Sequence, residues 1–387
     1  MDKIKVAFFA DILISNFDGA SRTMFQLINR IPSDQFDFLF ICGLGPDKIG
    51  NFKCIHVPTM SVPGNKNYRF ATPLLQKTEL DKELHDFSPD VIHISTPSLL
   101  GSYALKSARK LGVPAVTIYH THFISYVDYY IKRFPLLIDF TKQRVREMLR
   151  NFYNQCDTFY VPSTSIMEEL ADEGIDIDLM KLWERGVDRN LFSFNKKKPE
   201  LIRELTGNNN PSILFVSRLV WEKNLQTMIK LYELIEQREL KYNFIVIGDG
   251  IARDEVEVQM PNAFFLGHVE HERLANIYAS SDVFFFPSIT ETFGNVVLEA
   301  MASGLPCVIA DKGGSKDFIK DGYNGFKCSP YDASAYLDRI MKILENPRLA
   351  KQLSDNAIET SKKYVWENLA LVYFNDLKTL AFELHIA

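Results

Sequence analysis

Apolar residues fall along this chain in short runs, separated by longer segments where they recur at helical spacing. The runs at 5–10, 36–41, 91–94, 115–119 and 158–161 are too short for core helices and are bounded by polar or turn residues. They read as buried strands. A second series at 212–216, 243–247, 263–266, 283–286 and 307–309 has the same character. Helix-length segments lie between them, among them 20–30, 101–111, 225–236 and 296–303. Strands that are apolar throughout have both faces covered, and strand–helix alternation covers them through right-handed crossovers between parallel neighbours. The pattern predicts an α/β protein built on doubly wound parallel sheets.

Between residues 186 and 211 this rhythm lapses. Gly186-Val187-Asp188 is followed by Asn195-Lys196-Lys197-Lys198-Pro199 and then by Gly207-Asn208-Asn209-Asn210-Pro211. Turn formers and a lysine run mark a linker, after which the strand pattern restarts. The chain is therefore expected to form a first domain over 1–190 and a second over 191–365, with a closing helix over 366–387 that packs back on the first. The halves are alike in plan but share no sequence repeat. At 387 residues the chain can bury two cores of ordinary size.

Charge and composition narrow the classes. A net charge of −5 speaks against a nucleic-acid partner, whose binding domain is usually basic. The five cysteines are odd in number and scattered without a CxxC pair, which fits neither a disulfide framework nor a zinc site and suits a reducing cytosol. Lys3 and Lys5 precede Val6-Ala7-Phe8-Phe9-Ala10 as in a secretion signal, but Asp11 ends the apolar run too early, so a first strand is expected. No uncharged stretch reaches the ~18 residues that span a bilayer. The most aromatic segment, 123–140, is interrupted by Asp128, Lys132, Arg133, Pro135 and Asp139. Over 131–150, Lys132, Arg133, Lys142, Arg144, Arg146 and Arg150 oppose Asp139 and Glu147, a net +4 on an otherwise acidic protein. Such a segment suits peripheral attachment to an anionic membrane. Alternatively, its apolar residues belong to the first core and its charges to a solvated helix face.

The densest chemistry lies at 278–304, YASSDVFFFPSITETFGNVVLEAMASG. A buried strand ends at Pro287-Ser288, a polar turn follows, and Gly294-Asn295 opens a helix. In an open parallel sheet, ligands sit beyond the carboxyl ends of the strands. A helix N-terminus there offers its N–H groups to phosphate. Phe293, Gly294 and Asn295 are placed for this, and a glycine lets a ligand approach the backbone. Glu291 in the turn and Glu299 on the helix can reach two parts of one ligand, a sugar and a ribose. Read singly, each is also explained as a solvated carboxylate, Glu299 as a complement to the helix dipole. Near the N-terminus, Asp18 either caps the helix that follows it or projects toward a ligand. His120 and His122 lie two apart at a strand end without a clustered third ligand, so no metal site is assigned. Asp81-Lys82-Glu83 falls in a predicted helix, where residues two apart do not share a face, and is set aside.

The stretch from Glu291 to Gly314 resembles the signature of the retaining glycosyltransferases numbered family 4, with two glutamates separated by seven residues and EAMASGLPCVIADKGG after them. The resemblance covers nearly the whole chain. Ser217-Arg218-Leu219-Val220-Trp221-Glu222-Lys223 is similar to the family's Arg-x4-Lys element, and Ile247-Gly248-Asp249-Gly250 to the turn beneath the nucleotide. Gly267-His268-Val269 resembles the loop that meets the base. The segment from Asn16 to Thr23 resembles the glycine loop, with Gly19 alone where many members have two glycines. Tyr119-His120-Thr121-His122 and Trp183-Glu184-Arg185-Gly186-Val187-Asp188 resemble elements of sulfoquinovosyl- and mannosyl-type lipid glycosyltransferases. Ceramide and diacylglycerol α-hexosyltransferases fit the same description.

The resemblance implies the GT-B fold, two doubly wound Rossmann-like domains facing across a cleft and closing on the donor by a hinge near 186–199. It implies Glu299 on the ribose, Glu291 on the sugar hydroxyls, and Arg218 and Lys223 on the diphosphate. Gly19, Gly248, His268, Val269, Phe293, Gly294 and Asn295 would line the donor site, with His120 and Asp18 near the transferred sugar and His122 structural or acceptor-facing. It further implies retention by front-side attack, with no metal and no cofactor. The expected reaction moves a hexose from a UDP-hexose such as UDP-galactose or UDP-glucose to a lipid such as ceramide or diacylglycerol. The enzyme would be peripheral, at the cytoplasmic membrane face. The alternatives are a GDP-mannose- or UDP-sugar-dependent transferase acting on a polysaccharide or soluble acceptor, a nucleotide-sugar epimerase, and a non-catalytic subunit. Arg218, Lys223, Glu291 and Glu299, all intact, speak against the last.

Overall fold

The structure is a computed structural model that describes residues 3–15, 17–62, 65–120 and 138–386. It divides into two units, Met1–Glu184 with Trp366–Ala387, and Arg185–Val365.

The first unit runs β1 (Ile4–Ile12), α1 (Gly19–Ile28), β2 (Phe36–Leu44), β3 (Lys48–Ile49), β4 (Phe52–His56), β5 (Thr59–Val62), β6 (Asn65–Ala71), α2 (Lys77–Phe87), β7 (Val91–Ile94), α3 (Leu99–Leu111), β8 (Ala115–Ile118), α4 (Ile138–Tyr153), β9 (Thr158–Val161), α5 (Thr164–Asp172) and β10 (Met180–Leu182). Its sheet has the order β10-β9-β8-β7-β1-β2-β4-β3, parallel except at the β3–β4 edge, and β5 with β6 forms a separate antiparallel ribbon. The two-residue period of β1 sends Val6, Phe8 and Ala10 into one core and Ala7 and Phe9 into the other.

The second unit contains α6 (Leu201–Thr206), β11 (Ser212–Val216), α7 (Leu225–Gln237), β12 (Asn243–Ile247), α8 (Arg253–Gln259), β13 (Phe264–Gly267), α9 (His271–Ser280), β14 (Val283–Phe286), α10 (Asn295–Ala302), β15 (Cys307–Ala310), β16 (Gly325–Cys328), α11 (Ala333–Leu344) and α12 (Pro347–Ser361). Its six strands are all parallel, in the order β13-β12-β11-β14-β15-β16. Along β11, Leu214 and Val216 enter one core while Ile213 and Phe215 enter the other.

The last helix, α13 (Trp366–Ile386), belongs to the first unit. Its residues Trp366, Ala370, Tyr373, Phe374, Leu377 and Ala381 are buried in the core that holds Phe8 and Phe38. Polar bonds fix its register. Trp183 Nε1 donates to Leu369 O at 2.9 Å, Tyr160 Oη donates to an Asp376 carboxylate oxygen at 2.9 Å, and Tyr373 Oη and His93 Nδ1 are hydrogen-bonded at 2.9 Å.

The strands read from the sequence are present with their ends shifted by up to three residues, the largest at β2, which runs on to Leu44, while β3 to β6, β10 and β16 had no counterpart in that reading. Asp81 and Glu83 sit in α2 with separate partners: Tyr103 Oη donates to Asp81 at 2.7 Å, and Lys53 pairs with Glu83 at 2.6 Å. The aromatic segment 123–140 and His122 fall largely in 121–137, outside the described residues. Among the described residues no helix is long and apolar enough to cross a membrane.

Candidate active site

A doubly wound sheet opens a crevice where neighbouring strands lead their crossovers in opposite directions. In the second unit that point lies between β11 and β14, since β12 and β13 continue on one side of β11 and β15 and β16 on the far side of β14. The turns leaving β11 and β14 carry Arg218, Lys223 and Glu291. Lys223 ends a short 3-10 turn, Trp221–Lys223, and is buried beside the next residue, Asn224. Asn224 holds a left-handed backbone (φ 57°) and is the fastener between the two turns. Its side-chain amide donates to Pro287 O at 3.1 Å and Pro330 O at 2.7 Å, while its carbonyl oxygen accepts from Thr227 Oγ1 at 2.9 Å. Thr290 Oγ1 adds a bond to Glu222 O at 3.2 Å.

Held in this way, Lys223 Nζ donates to Glu291 Oε1 at 2.5 Å, and Ser288 Oγ donates to the same oxygen at 3.0 Å. The two charged side chains are only 8% and 19% exposed. Burial raises the Glu291 pKa, but the Lys223 ammonium, the hydrogen bonds from Lys223 and Ser288, and the Arg218 guanidinium outweigh it and hold the carboxyl below its ordinary value. Arg218 is exposed just beyond β11.

The turn after Glu291 wraps into α10. Gly294 caps the helix at φ 91°, and a Cβ there would lie 2.6 Å from Ser315 Cβ, so both the backbone angle and the close approach require glycine. Gly314 N–H donates to Glu291 O at 2.7 Å, bringing the loop after β15 against the same turn. Asn295 Oδ1 and Ser315 Oγ are buried with no hydrogen-bond partner among the described residues, two polar atoms gathered at the start of α10. Phe293 is not at this surface. It is buried against Phe318 and Tyr364, so its side chain is a packing element and only its backbone can meet a ligand. One helical turn on, Glu299 is half-buried and accepts from Tyr278 Oη at 3.3 Å.

At the other flank, Gly248 N–H donates to Gly267 O at 2.8 Å, joining the turns after β12 and β13. His268 is exposed next to Glu270, and Val269 is buried. The structure therefore gathers Arg218, Lys223, Glu291, Asn295 and Glu299 at one edge of the second sheet, with Gly248 and His268 along the same edge.

In the first unit, His120 is buried two residues past β8, and Gly19 opens α1 with no atom within 4 Å of where its Cβ would stand. No neighbour within the fold demands a glycine there. Asp18 Oδ1 accepts the Ser21 N–H at 2.8 Å, so of the two readings of Asp18 the structure shows the helix cap. Asn224, Ser288 and Ser315 were not singled out in the sequence. Only an asparagine just after the Arg-x4-Lys element hinted at the first. Among the described residues there is no cluster of three side chains suited to a metal ion.

Comparisons with known proteins identify the family and the fold. Residues 17–191 match the model of Glycosyltransferase Family 4, and residues 197–360 that of Glycosyl transferases group 1. The GDP-mannose-dependent alpha-mannosyltransferase of Mycobacterium tuberculosis is 30% identical over 323 residues, covering 82% of this chain and 81% of that one. The sulfoquinovosyl transferase SQD2 of Arabidopsis thaliana is 32% identical over 77% of this chain and 59% of its own length. The alpha-monoglucosyldiacylglycerol synthase of Streptococcus pneumoniae is 27% identical over 79% of this chain and 70% of that one. Among solved structures, Anabaena HepE in complex with UDP and glucose superposes with a TM-score of 0.74 at 19% identity, covering 97% of this chain and 99% of that one. This chain belongs to glycosyltransferase family 4 and carries the two Rossmann-like sheets of the GT-B fold.

Proposed function

We propose that the protein transfers a hexose from a nucleoside diphosphate sugar to a membrane lipid with retention of anomeric configuration. The observation that carries the transfer chemistry is the buried Lys223–Glu291 pair at the β11–β14 crevice, with Arg218 beside it. An ammonium has three donors, so one bond to Glu291 leaves capacity for phosphate oxygens. Glu291, kept anionic, accepts from sugar hydroxyls. Arg218 and Lys223 stabilise the charge that grows on the diphosphate as the bond to the anomeric carbon breaks, which lowers the barrier because that charge is largest in the transition state. The acceptor oxygen attacks from the side the diphosphate leaves, and its proton passes to the departing β-phosphate oxygen. Glu299 holds the ribose, the N–H groups at the start of α10 face phosphate or sugar, and His120 lies by the transferred sugar.

Two observations support a lipid acceptor. One relative is named for glucosyldiacylglycerol synthesis. On α4, Phe140, Arg144 and Met148 recur every four residues, all more than half exposed, with the Arg144 guanidinium 5.4 Å from the Phe140 ring centre. An exposed apolar and basic stripe of this kind suits an anionic bilayer. The mannosyltransferase relative favours GDP-mannose as donor, against the UDP-hexose expected from the sequence, and the base is decided by experiment. Purified protein is incubated with UDP-glucose, UDP-galactose or GDP-mannose, with and without diacylglycerol in anionic vesicles. Nucleotide release and glycolipid mass are then read. Lipid-dependent release with a hexosyl-lipid product is expected; transfer to a soluble saccharide alone overturns the lipid reading.

A further inference from the structure

Two buried polar atoms at the start of α10 take no part in the hydrogen bonds that hold the second unit together. Asn295 Oδ1 and Ser315 Oγ have no partner among the described residues, and Ser315 is 0% exposed. Buried polar side chains are nearly always paired, and each exception calls for a physical reason. The two residues meet at one place. Asn295 is the first residue of α10, directly after Gly294. Ser315 packs on Gly294, with its Cβ 2.6 Å and its Oγ 3.6 Å from where a Cβ of that glycine would stand. The loop carrying Ser315 is held in turn to the Glu291 turn, because Gly314 N–H donates to Glu291 O at 2.7 Å. A Cβ on Gly313, one residue earlier, would stand 3.3 Å from both Glu291 N and Glu291 O. Asn295 and Ser315 thus belong to the same turn as the buried carboxylate.

The chemistry of the pair selects what can meet it. An amide oxygen only accepts, and so does an ionised phosphate, so Asn295 Oδ1 is no ligand for the diphosphate. Its partner must bring a hydrogen, and in a nucleotide sugar beside Glu291 that is a hydroxyl of the hexose. Asn295 is half-buried, and the bond from its Cβ to its amide is a broad two-fold torsion. A half-turn about that bond exchanges the two ends of the amide. The NH2 end then lies inward, where the Ser315 hydroxyl oxygen is an acceptor lacking a donor, and Oδ1 faces outward. We infer that Asn295, turned against Ser315, accepts a hydroxyl of the transferred hexose and gives the sugar a second acceptor beside Glu291. The hexose is assigned rather than the ribose because the pair is fastened to the Glu291 turn, whereas Glu299 lies a helical turn further along α10. This deepens the donor-site reading above and rests on it.

The experiment is titration calorimetry of wild type, Asn295→Ala, Ser315→Ala and the double variant with UDP, GDP, UDP-glucose, UDP-galactose and GDP-mannose. For the sugar nucleotide that wild type binds, Asn295→Ala is expected to lose roughly three- to tenfold in affinity, as for one neutral hydrogen bond, while the bare nucleotide changes by less than about twofold. Ser315→Ala should give a smaller loss in the same direction. The double variant should lose no more than Asn295→Ala alone, because the hydroxyl acts only through the amide. Urea midpoints should hold or rise in each variant, since each removes an orphaned buried group. Equal losses for sugar nucleotide and bare nucleotide would place the contact on ribose or phosphate and overturn the inference. An Asn295→Ala variant that binds the sugar nucleotide like wild type overturns it too, and losses that simply add in the double variant overturn the partnership with Ser315. In each of these cases the donor-site reading stands. A wild type that binds none of the sugar nucleotides overturns that reading as well.

Discussion

Lys223 and Glu291 meet at 2.5 Å in a nearly closed environment, and an ion pair placed there is a poor investment for stability alone. Taking two charges out of water costs several kcal/mol, which their attraction barely offsets, and apolar replacements of both are often neutral or stabilising. The proposed transfer chemistry accounts for the pair. Lys223→Met/Glu291→Met should keep or raise the midpoint of urea unfolding while abolishing sugar transfer; a double variant that still turns over would show the pair to be structural. Arg218→Ala should lose ~2–4 kcal/mol of transition-state stabilisation, roughly 30- to 1,000-fold in kcat/KM, with little change in folding, because the side chain is exposed. The depressed Glu291 pKa sets a sign as well. The carboxylate stays charged as pH falls toward its ordinary range, and its contribution is lost only when pH drops through the lower folded value. Between pH 5 and 8, Glu291→Gln should thus scale the rate without shifting the pH profile.

At the scale of elements, the crevice depends on turns tied to each other rather than on strands alone. Asn224 joins the ends of β11 and β14 to Pro330 beyond β16, and replacing it strands Pro287 O and leaves Pro330 O with the Thr227 hydroxyl alone, at 3.2 Å. Asn224→Ala should cost ~2–4 kcal/mol of unfolding free energy, and Asn224→Gly somewhat less because glycine accepts the left-handed backbone. Denaturant titration of the two variants separates the lost ties from the backbone strain. The same contrast explains what the sequence made legible. Strands such as β11, β12 and β14 are buried on both faces and show as unbroken apolar runs, so the doubly wound plan was readable from them. β4, by contrast, is half-exposed throughout as Phe-Lys-Cys-Ile-His, and β5 and β6 pair only with each other, leaving no periodic signal to find. Glu291 and Lys223 were found through local motifs. The fastening role of Asn224 was not, because its partners Pro287 and Pro330 lie 63 and 106 positions away. Ser315 meets Gly294 only through the fold, and Ser288 gains its meaning from Glu291, whose own partner Lys223 lies 68 positions away.

For the molecule as a whole, two expectations follow from how charge is handled. With Arg218 and Lys223 proposed to serve the diphosphate, excess EDTA should leave most activity in place; complete loss restored by Mg²⁺ would reject that assignment. In the first core, burial pushes the His93 pKa down to about 3, so the folded protein keeps the ring neutral where the unfolded chain takes up a proton. Stability should therefore fall as pH drops below about 6.5, by ~1.4 kcal/mol per pH unit, and His93→Gln should flatten that slope in denaturant titrations. The division of the chain has a further consequence, in time rather than in space. The first unit takes its final helix from Trp366–Ile386, after the whole of the second unit, whose own ends are joined where Val187 N–H donates to Tyr364 O at 3.1 Å. Emerging from a ribosome, the earlier-made unit must wait with Phe8, Phe38 and Trp183 uncovered until α13 appears, while the later-made unit can finish first. The usual order, N-terminal domain before C-terminal, is thereby reversed. A nascent chain arrested at Val365 should yield a protease-resistant fragment over 185–365 and a digestible first unit, with chaperones meeting the N-terminal half for the duration of the synthesis that follows.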